Sequence, residues 1–222
     1  VVFTSASSED TEYTVEDMRD MFGDKVAQIV DGLTKISGEV FSNSSAQAEN
    51  FRKLILTMND DIRVILIKIA DRLHNMRTLD SMLPAKQMKI AGETQYVYAP
   101  LAHRLGLFAI KSELEDLSLK YIDPKKYQYI KTKLNETKRS RDEYIAEFIR
   151  PVQLEASGLK FDIKGRTKSI HSINNKLRKQ NIDFEGIYDL FAIRVILDSP
   201  LDKERSECWQ VFSIITDMYQ PN

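Results

Sequence analysis

The stretch Ile69-Ala70-Asp71-Arg72-Leu73-His74-Asn75-Met76-Arg77 decides how the first half of the chain is read. It continues Ile62 to Ala70, a run that is apolar nearly all round and interrupted only by Arg63 and Lys68. Asp71, His74, Asn75 and Thr78 fall at i, i+3, i+4 and i+7, which on a helix forms one polar stripe. A carboxylate set against so apolar a segment is costly unless it is paired or bound to a cation. Spacing alone leaves both readings of Asp71 open: an ion pair with Arg72 or Arg77, or a ligand. A lone His74 reads as a hydrogen-bonded structural residue. The helix is expected to be largely buried, with Asp71 and Asn75 facing a common cavity rather than bulk solvent.

Outward from this string the reading stays helical, from about Val15 to Tyr121, because apolar residues recur three and four apart and glycines are few. Thr14 is a good N-cap for Val15-Glu16-Asp17-Met18, whose acids suit the first turn. Helical patterns follow over Asp24–Leu33, Phe51–Met58, Ile62–Leu79, Met88–Ala99 and Ile110–Leu119, with a polar loop at Gly38–Ser45. Pro84, Pro100 and Pro124 are read as punctuation between helices. Lys125 to Gln153 is long, charged and helix-favouring. The pattern changes at Gly158. Leu159-Lys160-Phe161-Asp162-Ile163-Lys164 alternates at period two, as a half-buried strand does. Ile170–Leu177 reads as a helix, Phe191–Leu197 as a β-branched strand, and Cys208–Met218 as a further helix.

Composition limits what the chain can do. At 222 residues, 42% hydrophobic and 29% charged, it is an ordinary globular sequence with enough length for a core. A net charge of −1 supplies no global field toward DNA or anionic membrane, so a phosphate site must be a local cluster of cations. The cations of Lys125 to Arg141 are interleaved with acids and read as a solvated connector rather than a nucleic-acid surface. Cys208 is the only cysteine, which excludes an internal disulfide framework and fits a reducing cytoplasm. No apolar run is long enough to span a bilayer.

In the second half, Gly165-Arg166-Thr167-Lys168-Ser169-Ile170-His171-Ser172-Ile173 follows a strand and opens a helix. Lys168, Ser172 and Lys176 are four apart and are expected to project from one face. A helix N-terminus beside cations suits polyphosphate, since free amides and the dipole favour negative charge; a basic solvated face is the competing reading. Asp189 precedes the strand Phe191–Leu197, where a carboxylate can hold magnesium at a sheet end or act as a turn residue.

Three strings carry a resemblance: Val30-Asp31-Gly32-Leu33-Thr34-Lys35; Asn50-Phe51-Arg52-Lys53 through Ile62-Arg63-Val64-Ile65 to Arg77-Thr78-Leu79; and Tyr98-Ala99-Pro100-Leu101-Ala102-His103-Arg104-Leu105-Gly106. They resemble the alarmone hydrolase domain of RelA/SpoT homologues, and the segment around Arg166 to Arg194 is similar to the alarmone synthetase domain of that family. The resemblance implies an α+β chain: an all-helical HD-type hydrolase domain over 1–122, a charged helical connector over 123–157, and the first half of an α/β, nucleotidyltransferase-like synthetase domain over 158–222. It implies hydrolysis of ppGpp and pppGpp, and transfer of pyrophosphate from ATP to the 3′-hydroxyl of GDP or GTP. Asp71 would bind manganese, Asn75 would contact the nucleotide, and Glu9 and Asp10 would orient or deprotonate the attacking water. Arg166 would lie against the ATP base, Lys168, Ser172, Lys176 and Arg194 near its phosphates, and Asp189 would bind magnesium.

The chain departs from the family at Ser5 and Ala6, the places of a metal-binding His-Asp pair. The synthetase's second catalytic carboxylate and guanosine loop match nothing before Asn222. Both sites are therefore expected to be inactive as they stand, and a catalytically dead nucleotide-binding regulatory module is the alternative. Relatives often carry regulatory domains that engage the ribosome; nothing in these residues encodes one.

Overall fold

In the computed structural model of the protein, residues 13–37, 61–155 and 158–219 are described, and they divide into two compact units that meet between Asp123 and Pro124. The helix expected at Phe51–Met58, the loop at Gly38–Ser45, and Glu9 and Asp10 lie outside the described residues.

The first unit is helical throughout its described residues. Helix α1 (Val15–Phe22) begins as its sequence requires. The Thr14 hydroxyl accepts from the Asp17 amide, and the Asp17 carboxylate accepts from the Thr14 amide, so two unsatisfied donors of the first turn are closed reciprocally. Helix α2 (Asp24–Ser37) and helix α3 (Ile62–Arg77) follow. A tight turn at Leu79–Ser81 leads into α4 (Pro84–Glu93), a wider π-type turn at Thr94–Tyr98, α5 (Ala99–Arg104) and α6 (Phe108–Ile122). Their apolar faces close one core around Ile29, Leu33, Ile65, Ile69, Met76 and Leu114.

The prolines act differently from the expectation. Pro84 and Pro124 are the first residues of their helices, whereas Pro100 follows the π-type turn inside an unbroken helical run over residues 84–104. Proline lacks a donor that the first turn would leave unused, and its fixed φ suits helix entry, so Pro84 and Pro124 start helices instead of only ending them.

The second unit contains α7 (Pro124–Glu136), α8 (Lys138–Glu155), β1 (Phe161–Thr167), α9 (Ile170–Gln180), β2 (Phe191–Leu197) and α10 (Glu204–Met218). The charged segment after Pro124 is thus two helices divided at Thr137, and α7 places Ile130 in a core with Ile173, Leu177, Phe184 and Ile187. The strands form an antiparallel ribbon in which Phe161 pairs with Leu197 and Thr167 with Phe191. Strand β1 runs three residues beyond the alternating segment that predicts it, through Gly165. A Cβ at Gly165 would lie 3.0 Å from Ile145 of α8, so glycine there lets the helix approach the ribbon closely. Among the described residues no helix is long and apolar enough to cross a membrane.

Gly32 marks a similar approach in the first unit. A Cβ there would meet Cγ2 of the buried Val64 at 2.9 Å, inside contact distance. Gly32→Ala is expected to lower stability by about 1–3 kcal/mol, although alanine favours a helix interior by up to about 1 kcal/mol. In urea titrations, adding Val64→Ala should recover part of that loss, giving a favourable coupling in the double-mutant cycle. A stabilised single variant would show that α2 and α3 do not meet there.

Candidate functional site

Helix α3 buries one face and presents the other. Val64, Ile65, Ile69 and Met76 are inside, whereas Ile62, Arg63, Leu66, Ala70, Asp71 and His74 are exposed. The stripe carrying Asp71 therefore lies on the outer side, which corrects the expectation that Asp71 is withdrawn from solvent: the apolar run is wider than the arc it buries. Asn75, half-buried, donates from Nδ2 to Asp71 Oδ2 at 3.3 Å, and the Thr78 hydroxyl turns back to the His74 carbonyl at 3.1 Å.

The two arginines that offered Asp71 an ion pair are engaged elsewhere. Arg77 forms a two-pronged pair with Glu113 of α6, Nε to Oε1 at 2.6 Å and the terminal nitrogen to Oε2 at 2.9 Å, and this holds the Glu113 carboxyl below its ordinary range. Arg72 points inward. Its guanidinium pairs with the buried Glu93 at 3.4 Å and lies over the Tyr98 ring, 4.2 Å from its centre. Burial pushes the Glu93 carboxyl up, and Arg72 and Lys89 partly offset that. Asp71 is left without a cation among the described residues. The Arg72–Glu93–Tyr98 contact is one that spacing along the chain cannot reveal, since its parts are 21 and 26 residues apart.

In the second unit the charges converge. The ribbon is extended one step past Thr167 by the Lys168 amide donating to the Leu190 carbonyl at 2.9 Å. That bond sets Lys168 beside Asp189 where the chain enters α9. Ser169 is the N-cap: its hydroxyl accepts from the Ser172 amide at 3.2 Å and donates to the Ser172 hydroxyl at 2.8 Å. Lys168 therefore precedes the helix and does not share its face with Ser172 and Lys176 as their spacing suggested. Its ammonium nevertheless reaches the same point. Asp189 Oδ2 takes Lys168, and Asp189 Oδ1 takes Lys176 from the second turn of α9.

These two ammonium groups hold the Asp189 carboxyl down at about 2, from an ordinary 3.8. Arg166 and Arg194 occupy outward positions of the ribbon, opposite Ala192 and Lys164 respectively. Lys164 thus stands directly across from Arg194 on the same face, a second cation that the sequence reading did not single out. Among the described residues, no three His, Cys, Asp or Glu side chains gather where they could hold a metal ion.

The depressed Asp189 carboxyl stabilises the fold above pH 3.8, and that contribution is lost as pH falls through about 2. Carbon-13 NMR of the carboxyl should show this midpoint, and Lys176→Gln should move it up toward 3.8. An Asp189 that titrates normally in the unaltered chain would mean the cluster does not form in solution.

Two family models match the chain: that of the HD domain over residues 3–108, and that of the region found in RelA / SpoT proteins over residues 165–222. A GTP pyrophosphokinase of Myxococcus xanthus is 44% identical over 220 residues, covering 96% of this chain and 28% of its own length. A probable guanosine-3′,5′-bis(diphosphate) 3′-pyrophosphohydrolase of Synechocystis is 42% identical over 218 residues, 96% of this chain and 28% of its own length. The bifunctional (p)ppGpp synthase/hydrolase SpoT of Escherichia coli K12 is 41% identical over 216 residues, 96% of this chain and 30% of its own length. The chain thus spans about three-tenths of the length of these curated relatives. With one match on the helical unit, another on the ribbon with its Asp189 cluster, and relatives aligned through both, the chain belongs to the RelA/SpoT family.

Proposed function

We propose that the protein carrying this chain makes and breaks guanosine alarmones, with pyrophosphate transfer assigned to the second unit and 3′-pyrophosphate hydrolysis to the first. The observation that carries this reading is the convergence of Lys168, Lys176 and Asp189 at the N-terminal end of α9. A helix start with two ammonium groups is suited to a polyphosphate, and the relatives' names supply the reaction classes. Lys168 and Lys176 would neutralise the ATP phosphates, the Ser172 hydroxyl would hydrogen-bond a phosphate oxygen, and Arg166 would stack on adenine while Arg194 lies near the phosphates. The acceptor's 3′-oxygen, from GDP or GTP, would form a bond to the β-phosphorus of ATP. The bond from that phosphorus to the α,β-bridging oxygen would break, AMP would leave, and the hydroxyl proton would be lost.

A divalent cation belongs to this reading. Magnesium in phosphate sites takes one or two carboxylates and completes its shell with phosphate oxygens and water. Asp189, exposed at the end of the ribbon, fits as such a carboxylate. When bound, the ion would neutralise charge on the transferring group. In the first unit Asp71 suits a cation, since no basic side chain among the described residues compensates it. Manganese calls for several nitrogen and oxygen donors, and among the described residues those around Asp71 do not complete a set. Asn75, hydrogen-bonded to Asp71, would hold the nucleotide, and Glu9 and Asp10 would act on the water. Ser5 and Ala6 stand where the family carries the His-Asp pair, so we infer that hydrolysis is absent in the chain as it stands. The same substitution favours the second reading, a nucleotide-binding regulatory module. The cytoplasm is the compartment these substrates imply.

Crossed assays on the full-length protein containing this chain test the assignment. Asp189→Ala should lower pyrophosphate transfer from ATP to GDP by at least about a hundredfold. Manganese-dependent release of pyrophosphate from ppGpp should be undetectable, should return with Ser5→His plus Ala6→Asp, and should vanish again on adding Asp71→Ala, with transfer unaffected. Loss of both activities on either aspartate substitution in the Ser5→His, Ala6→Asp background, with both variants folded by circular dichroism, would defeat the division into two sites.

A further inference from the structure

Two of the cations that would receive the polyphosphate are held by one carboxylate. Asp189 Oδ1 and Oδ2 each take one ammonium group, Lys176 and Lys168 respectively. The fold fixes all three: the ladder bond from Lys168 to Leu190 sets the first lysine beside Asp189, and the second turn of α9 brings Lys176. An arriving polyphosphate therefore meets a site of net charge +1, the sum of two ammonium groups and one carboxylate, with the negative member between the two positive ones. A divalent cation on Asp189 would raise that sum to +3 and free both lysines. Conversely, a cation arriving alone meets a carboxylate already flanked by two positive charges. Each ligand removes the obstacle to the other.

We propose that Asp189 is an electrostatic latch on Lys168 and Lys176, so that a divalent cation and a polyphosphate bind this site with positive coupling and each binds weakly alone. This rests on reading the site as one for polyphosphates, and adds the order that its charges impose. By linkage, the factor by which the cation strengthens polyphosphate binding equals the reciprocal effect. The depressed Asp189 carboxyl agrees with a strong hold on the lysines at neutral pH.

The test uses inorganic tripolyphosphate and calorimetry on the 222-residue chain, at constant ionic strength, in EDTA or in excess magnesium. For the unaltered chain, magnesium should strengthen binding roughly tenfold, within the usual range of site coupling. Asp189→Asn should bind tripolyphosphate about tenfold more tightly than the unaltered chain in EDTA, because the latch is gone. In that variant magnesium should weaken binding, since it now only neutralises the ligand. Equal affinities of the two proteins in EDTA, or weakening by magnesium in the unaltered chain, would overturn the latch while leaving the polyphosphate site standing. No binding by either protein in either buffer would overturn the polyphosphate reading itself, and the latch with it. If Asp189→Asn does not fold, nitrogen-15 NMR of the lysine ammonium groups decides the matter on the unaltered chain. Half-maximal shift of the Lys168 and Lys176 signals should need about tenfold more tripolyphosphate in EDTA than with magnesium. Equal requirements in the two buffers would overturn the proposal.

Discussion

Which carboxylate each cation reaches is the constraint on which both candidate sites depend, because an arginine or lysine committed to one acid is not available to another. Arg72 goes inward to Glu93, and Arg77 goes across to Glu113. With its two nearest arginines engaged, Asp71 keeps an amide partner, Asn75, and no cation among the described residues. The second unit has the opposite arrangement. Two lysines from different elements meet on the single carboxylate of Asp189. One site is thus short of positive charge and the other has a surplus held in check, which fits the division proposed between a cation-assisted hydrolase and a polyphosphate-binding transferase.

Much of the architecture was legible in the residues because it depends on local periodicity. The three-and-four spacing of apolar residues marks α3, the alternation from Phe161 marks the ribbon, and Thr14 with Asp17 marks the start of α1. The prolines were read too simply. Their exclusion from helix interiors is a strong rule, but the same fixed φ makes them good first-turn residues, and Pro84 and Pro124 open helices here.

The sites were legible in composition more than in geometry. Lys168, Lys176 and Asp189 could be picked out as candidates, and the structure brings them together. Helical spacing gave the wrong reason for Lys168, which arrives through a strand hydrogen bond to Leu190. In α3 the sequence shows which residues share a stripe but not how wide an arc the neighbouring helices cover, so Asp71 was placed inside when it is exposed. Nor can spacing tell which of several arginines will reach an acid on another helix. Those choices depend on packing, and Arg72 is the case in point.

The π-type turn at Thr94–Tyr98 shows how finely that packing is set. Glu93 and Tyr98 are five residues apart, and in a regular α-helix five residues advance about 140° beyond a full turn, which would put the two side chains on different sides. In the wider turn the Ala99 amide reaches back five residues to the Thr94 carbonyl, so the acid and the ring arrive on one side and hold Arg72 between them. The helix carries, in effect, one residue more than its path requires. Its rotational phase, and with it the fit of α4 and α5 against α6, is kept only because the turn widens to absorb that residue. Removing one residue here would let the turn close to a regular α-helix with the acid and the ring four positions apart and still on one face, so this point in the helix can lose a residue where any other would lose its register.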